Sequence, residues 1–109
     1  MNHRKLARNV KRYIADASPR PVHIPALGKR FKVHRRTSFR VFAELVGMPP
    51  YELSRRLRFK AARAALKKRS KSDRIRDIAI AHGFLEQGRF ARDYRQLFGE
   101  LPSETRSRR

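Results

Sequence analysis

The sequence predicts an all-α fold of about seven helices, built as two helix-turn-helix subdomains joined by a long central helix. Three observations predict it. Apolar residues recur at helical spacing along the 109-residue chain, and no stretch alternates as a half-buried strand would. Gly and Pro fall between those stretches, where they stop helices. One short pattern also occurs twice, 52 residues apart.

The elements follow in order. Residues 3 to 15 place Leu6, Val10, Tyr13 and Ile14 on one helical face. The stretch "SPRPVHIP" then breaks the chain with three prolines in eight residues. A short helix is expected from Pro25 to Phe31, with Pro25 tolerated in its first turn. The next runs from Arg35 to Val46 and is stopped by Gly47 and Pro49-Pro50. From Tyr51 to Lys68 there is no Gly or Pro for 18 residues, which predicts the longest helix, about 27 Å at 1.5 Å per residue. Leu53, Leu57, Ala61, Ala64, Ala65 and Leu66 are its expected inward stripe. "KKRSKSD" is a polar connector, in which Ser72 or Asp73 can cap the helix of Ile75, Ile78 and Ala79 that ends near Gly83. A helix from Gln87 to Phe98, a short one from Pro102 and the basic tail "RSRR" complete the chain. The expected division is a first subdomain at 1–50, a linking helix at 51–68 and a second subdomain at 69–109.

The repeat decides how these helices are grouped. "RVFAELVGMPPYE" (40 to 52) lies over "RDYRQLFGELPSE" (92 to 104), matching Arg40 with Arg92, Phe42 with Tyr94, Leu45 with Leu97, Gly47 with Gly99, Pro50 with Pro102 and Glu52 with Glu104. Upstream, an offset of 51 aligns Leu27 with Ile78, Gly28 with Ala79 and Val33 with Phe84. Each copy is a short helix, a tight turn and a longer helix, the arrangement whose second helix enters the major groove of DNA. Leu27, Gly28, Val33 and Phe42 are expected to hold the first pair together. Ile78, Ala79, Phe84, Phe90 and Tyr94 are expected to hold the second. The copies differ at the turn, where Gly83 has Lys32 as its counterpart, and in the core, where Phe90 has Ser38.

Charge points to the partner. Twenty-nine Lys and Arg oppose nine Asp and Glu, a net charge of +20. A folded domain sustains that self-repulsion when a polyanion compensates it, and nucleic acid is the usual one. The charge is spread along the chain and not gathered in a tail. Other classes fall away. With no cysteine there is no disulfide, Cys-liganded zinc or thiol catalysis. Histidines 3, 23, 34 and 82 lack paired metal spacing, the acids are scattered, and no phosphate loop or nucleophile elbow occurs. No enzyme, cofactor or metal is expected. No run of 18 apolar residues and no signal-peptide pattern is present, so the expectation is a cytoplasmic, nucleoid-associated protein without membrane contact.

Helix geometry nominates the contact residues. On the helix from Gln87, Phe90, Tyr94 and Leu97 lie within about 60° of one another and are expected to face the core. Gly88, Arg92 and Arg95 fall opposite, flanked by Arg89, Ala91 and Gln96. The N-terminal part of a recognition helix reaches deepest, so Gln87, Arg89 and Arg92 are base-edge candidates, by bidentate bonds to guanine or adenine. Gly88 lets the backbone approach closely, and Arg95 suits a phosphate. In the first copy Ser38, Phe42 and Leu45 turn inward, leaving Arg36 and Arg40 outward with Thr37 and Phe39 beside them. Phe39 either touches a thymine methyl or covers the gap left by Ser38. Arg30, Arg35, Arg58 and Lys68 are further phosphate candidates.

The stretch "IRDIAIAHGFLEQGRFARDYRQLFGELPSET" resembles the second half of the DNA-binding domain of the AraC/XylS family of bacterial transcription regulators. The shared pattern is an apolar-x-x-apolar-Ala helix, a Gly-Phe turn, "F-x-R-x-[YF]-R-x-x-FG" and a closing Pro segment. "VGMPPYELSRRLRFKAARAAL" is similar to that family's linking segment and central helix. The likeness runs from about residue 3 to 105, with departures at Lys32, Ser38, Pro49 and Leu53. It implies sequence-specific double-stranded DNA binding for transcription regulation, activation being the commoner role, with RNA polymerase as a candidate second partner. It also implies two recognition helices in successive major grooves, about 34 Å apart, on an asymmetric site bound by a monomer. The competing expectation, which charge alone supports equally, is a sequence-indifferent binder such as a nucleoid-type or RNA-binding accessory protein.

Overall fold

The computed structural model describes residues 3–17, 29–31, 35–68 and 73–108; the side chains of 3, 35–39 and 41 lie outside that description. Six helices stand among the described residues: α1 (His3–Ala17), α2 (Arg35–Val46), α3 (Pro50–Leu66), α4 (Ile75–Ala81), α5 (Gln87–Phe98) and α6 (Pro102–Ser107). Residues 29–31 add a helical turn, and no described residue is in a strand. Most of the expected helix at 25–31 lies outside the described residues, as do Leu27, Gly28 and Val33. The all-α expectation holds.

The expected helix ends hold to within about two residues. α3 starts on Pro50, whose fixed φ and missing N–H suit a first helical position. Its tail loosens into a turn, where Lys67 N–H bonds the Arg63 carbonyl at 3.2 Å and Lys68 N–H bonds that of Ala65 at 3.3 Å. The cap expected for α4 is not the one observed. Arg74 occupies the N-cap position and makes no side-chain cap bond. Asp73 is one residue too early, and Ser72 lies outside the described residues.

The repeat survives in the backbone. Gly47 and Gly99 both take left-handed φ, +90° and +76°. Each closes its helix with the same bond, Gly47 N–H to Ala43 carbonyl at 2.9 Å and Gly99 N–H to Arg95 carbonyl at 2.8 Å. Only a residue without Cβ adopts that conformation cheaply. Pro50 and Pro102 each open the next helix and are buried. Phe42 and Tyr94 are each buried in their own core.

The chain divides into two compact units, Met1–Leu57 and Arg58–Arg109, with the boundary inside α3. In the first, Leu6, Val10 and Ile14 of α1 pack with Phe42 of α2, and Tyr13, Phe31, Val46, Leu53 and Leu57 close around them. Tyr13 meets Phe31 edge-on at 6.0 Å between ring centroids. In the second, Phe59, Ala62 and Leu66 of α3 pack with Ile78 and Ala79 of α4 and with Phe90 and Tyr94 of α5. Phe59 lies at the centre of an aromatic cluster, 4.2 Å from Phe84, 5.6 Å from Phe90, 6.4 Å from Tyr94 and 6.5 Å from Phe98 by ring centroid. The single inward stripe expected on this helix therefore missed its largest core residue. That expectation assumed one core, whereas α3 gives Leu53 and Leu57 to one and Phe59, Ala62 and Leu66 to the other.

Two leucines expected to face inward do not. Leu45 is 47% exposed and Leu97, its counterpart in the repeat, is 36% exposed. Tyr94 and Phe90 already fill the second core, and Leu97 is left at its margin. Tyr94 also fastens α5 to α6. Thr105 Oγ1 donates to Glu100 Oε2 at 2.8 Å, so the Tyr94 hydroxyl is the donor in its 2.6 Å bond to Thr105 Oγ1. Burial raises the Tyr94 pKa above the usual tyrosine value, against the opposing pull of the Arg63 charge.

Candidate nucleic-acid interface

α5 is held at both ends and along one side. At its start Glu86 is the N-cap: its carboxylate accepts from Gly88 N–H at 3.1 Å and Arg89 N–H at 2.5 Å. A carboxylate there satisfies orphan amides and complements the positive end of the helix. Before it, Gly83 at φ +87° makes the turn, and Phe84 N–H reaches back to the Ala79 carbonyl at 2.9 Å. The inner side is fixed by Phe90 and Tyr94. Replacing Glu86 by alanine should lower the unit's stability by about 1 kcal/mol, read as a small drop in thermal midpoint with the fold retained.

The outer side carries the candidates. Arg89 and Arg92 leave 75% and 67% of their side chains exposed. Both lean toward Asp93, at 4.0 Å from Arg89 Nε and 3.7 Å from Arg92 Nε. Exposed pairs of that length are worth little and leave the guanidinium groups available to a stronger anion. Arg95 and Gly88 are exposed too. A Cβ on Gly88 would come within 3.3 Å of Glu86 Oε1, so a side chain there crowds the cap. Gln87 is placed differently from its neighbours: it is half-buried, and its Nε2 donates to the Phe84 carbonyl at 3.3 Å.

In α2, Arg40 is exposed. The side chains of Arg35, Arg36, Thr37 and Phe39 lie outside the described residues. Arg30 is exposed, its guanidinium carbon 5.7 Å from the Phe31 ring centre. Lys68 is exposed just past α3.

Arg58 has an internal role. Its NH1 points at the His82 and Gly83 carbonyls, at 3.5 and 3.4 Å, and its guanidinium carbon lies 4.9 Å from the Phe84 ring centre. It thus braces the turn between α4 and α5 by long hydrogen bonds and a cation–π contact. His82 sits at the same turn, its Nδ1 donating to the Ile78 carbonyl at 2.7 Å. The sequence reading also passed over Glu86 and Asp93. A signal existed for Asp93, four residues after Arg89. For Glu86 the signal was an acid just ahead of an amphipathic run.

The comparisons with known proteins agree with this geometry. A family profile described as "Helix-turn-helix domain" matches residues 27–108. A solved structure from Rhodopseudomonas palustris, described as a probable AraC family transcriptional regulator, superposes with a TM-score of 0.89 at 34% identity, covering 95% of this chain and 96% of that one. The chain belongs to the AraC/XylS family. Its relatives include a XylDLEGF operon transcriptional activator of Pseudomonas putida, 34% identical over 97 residues, which are 88% of this AraC/XylS chain and 30% of that protein. The chain thus spans about a third of that relative's length. An AraC-type regulator structure from Chromobacterium violaceum also matches, with a TM-score of 0.84 at 25% identity over 95% of this chain and 91% of that one.

Proposed function

We propose that this AraC/XylS domain regulates transcription by reading an asymmetric double-stranded DNA site as a monomer, with α2 and α5 as its recognition helices in successive major grooves. In this reading 51–68 is the linking helix. Activation through RNA polymerase, in the bacterial cytoplasm, is its working role. The observation that carries the reading is the division of α5: Phe90 and Tyr94 fill the core while Arg89 and Arg92 stand in solvent. Arg92 and Arg40 occupy the same place in the two copies, and both are exposed.

Selection from random duplexes tests it. An enriched motif of two non-identical half-sites is the expected result. Flat output would instead support a sequence-indifferent nucleic-acid binder, the reading that the net charge of +20 supports equally by itself. On the selected site, Arg92→Ala should cost about 1 to 3 kcal/mol and leave binding to unrelated duplex nearly unchanged. Equal loss on every sequence would reassign Arg92 to phosphate.

A further inference from the structure

Leu85 is 80% exposed, more than any other exposed large hydrophobic side chain among the described residues. It stands immediately before the Glu86 N-cap, the position where an apolar residue ordinarily packs on the fourth helical residue and fixes the chain's entry. That fourth residue is Phe90, and here it is buried against Phe59 at 5.6 Å and Phe84 at 5.0 Å. Phe84 has taken the packing role, and the Leu85 side chain is left outside it.

The backbone that carries this leucine is nonetheless fixed on both sides. On one side Phe84 is anchored by its ring, 4.2 Å from that of Phe59. On the other Glu86 is tied to Gly88 and Arg89 by its cap bonds. The backbone between two such fixed points holds the Leu85 Cα in place, with its side chain outside the packed rings. It sits at the N-terminal end of α5, the end that reaches base edges when a recognition helix enters the major groove. The apolar group presented there by DNA is the C5 methyl of thymine.

We propose that Leu85 is a specificity-determining residue, which packs on a thymine C5 methyl in the half-site read by α5. The proposal rests on the DNA-reading function above. It predicts an invariant thymine in that half-site, recognised by its methyl group and not by a hydrogen bond.

The test uses the full 109-residue chain and the duplex enriched by selection. Each thymine of the α5 half-site is replaced in turn by deoxyuridine, which keeps the base-pairing and removes only the methyl. One replacement should weaken binding about fourfold, the size expected for one methyl group returned to water. Leu85→Ala should bind the thymine duplex about as weakly and no longer distinguish it from the deoxyuridine duplex. Leu85 is exposed, so the variant's helical circular dichroism should match that of the parent. If no deoxyuridine replacement matters, if Leu85→Ala still distinguishes the duplexes, or if the half-site has no invariant thymine, the proposal is overturned while the DNA-reading function stands. A flat selection would overturn both.

Discussion

Phe59→Ala should unfold the second unit. Phe59 is buried and its ring lies within 6.5 Å of four others, those of Phe84, Phe90, Tyr94 and Phe98. Truncating a buried phenylalanine costs about 3 to 5 kcal/mol through lost transfer energy and the cavity left behind. A unit of the size of Arg58–Arg109 has roughly 3 to 8 kcal/mol of stability in all. At the middle of both ranges the substitution removes most of it. Amide NMR signals from α4, α5 and α6 should collapse toward unfolded positions, those from α1 and α2 should persist, and specific DNA binding should disappear. Phe59→Leu, which keeps most of the volume, should restore a dispersed spectrum.

With the fold intact, salt should have the largest effect on binding. Of the five phosphate candidates Arg30, Arg35, Arg58, Lys68 and Arg95, Arg58 is engaged with the His82 and Gly83 carbonyls and Phe84. The remaining four would release about 0.9 counterions each, a slope of log K against log salt near −3.6. Between 50 and 200 mM monovalent salt, affinity should then fall roughly 150-fold. Arg95→Ala should flatten the slope by about 1 and weaken binding to all sequences alike. A slope near zero would mean that the protein does not neutralise phosphates at all.

Much of this architecture is legible in the sequence alone. The helix lengths among the described residues, the stop at Gly47, the turn at Gly83 and the two-copy pattern all follow from residues whose constraints are local. What escaped depended on non-local competition. Phe59 was passed over because a stripe read along one helix presumes a single core, and α3 serves two. Leu45 and Leu97 fit the inward arc by angle, but each is left at the margin of its core, 47% and 36% exposed. Arg58 looked like any surface arginine, because the carbonyls it braces lie 24 and 25 residues away. Of the candidate contacts, Arg89, Arg92, Arg95 and Gly88 share the outer side of α5, whereas Gln87 is drawn back to the Phe84 carbonyl.

The cap and core that fix α5 use none of the side chains at 85, 89 and 92. Glu86, Phe90, Tyr94 and Gly99 set where the helix starts, lies and ends. A library randomised at those three outward positions should consequently yield mostly folded members. New binding preferences could then be sought, by a breeder or by natural drift, without first repairing the scaffold.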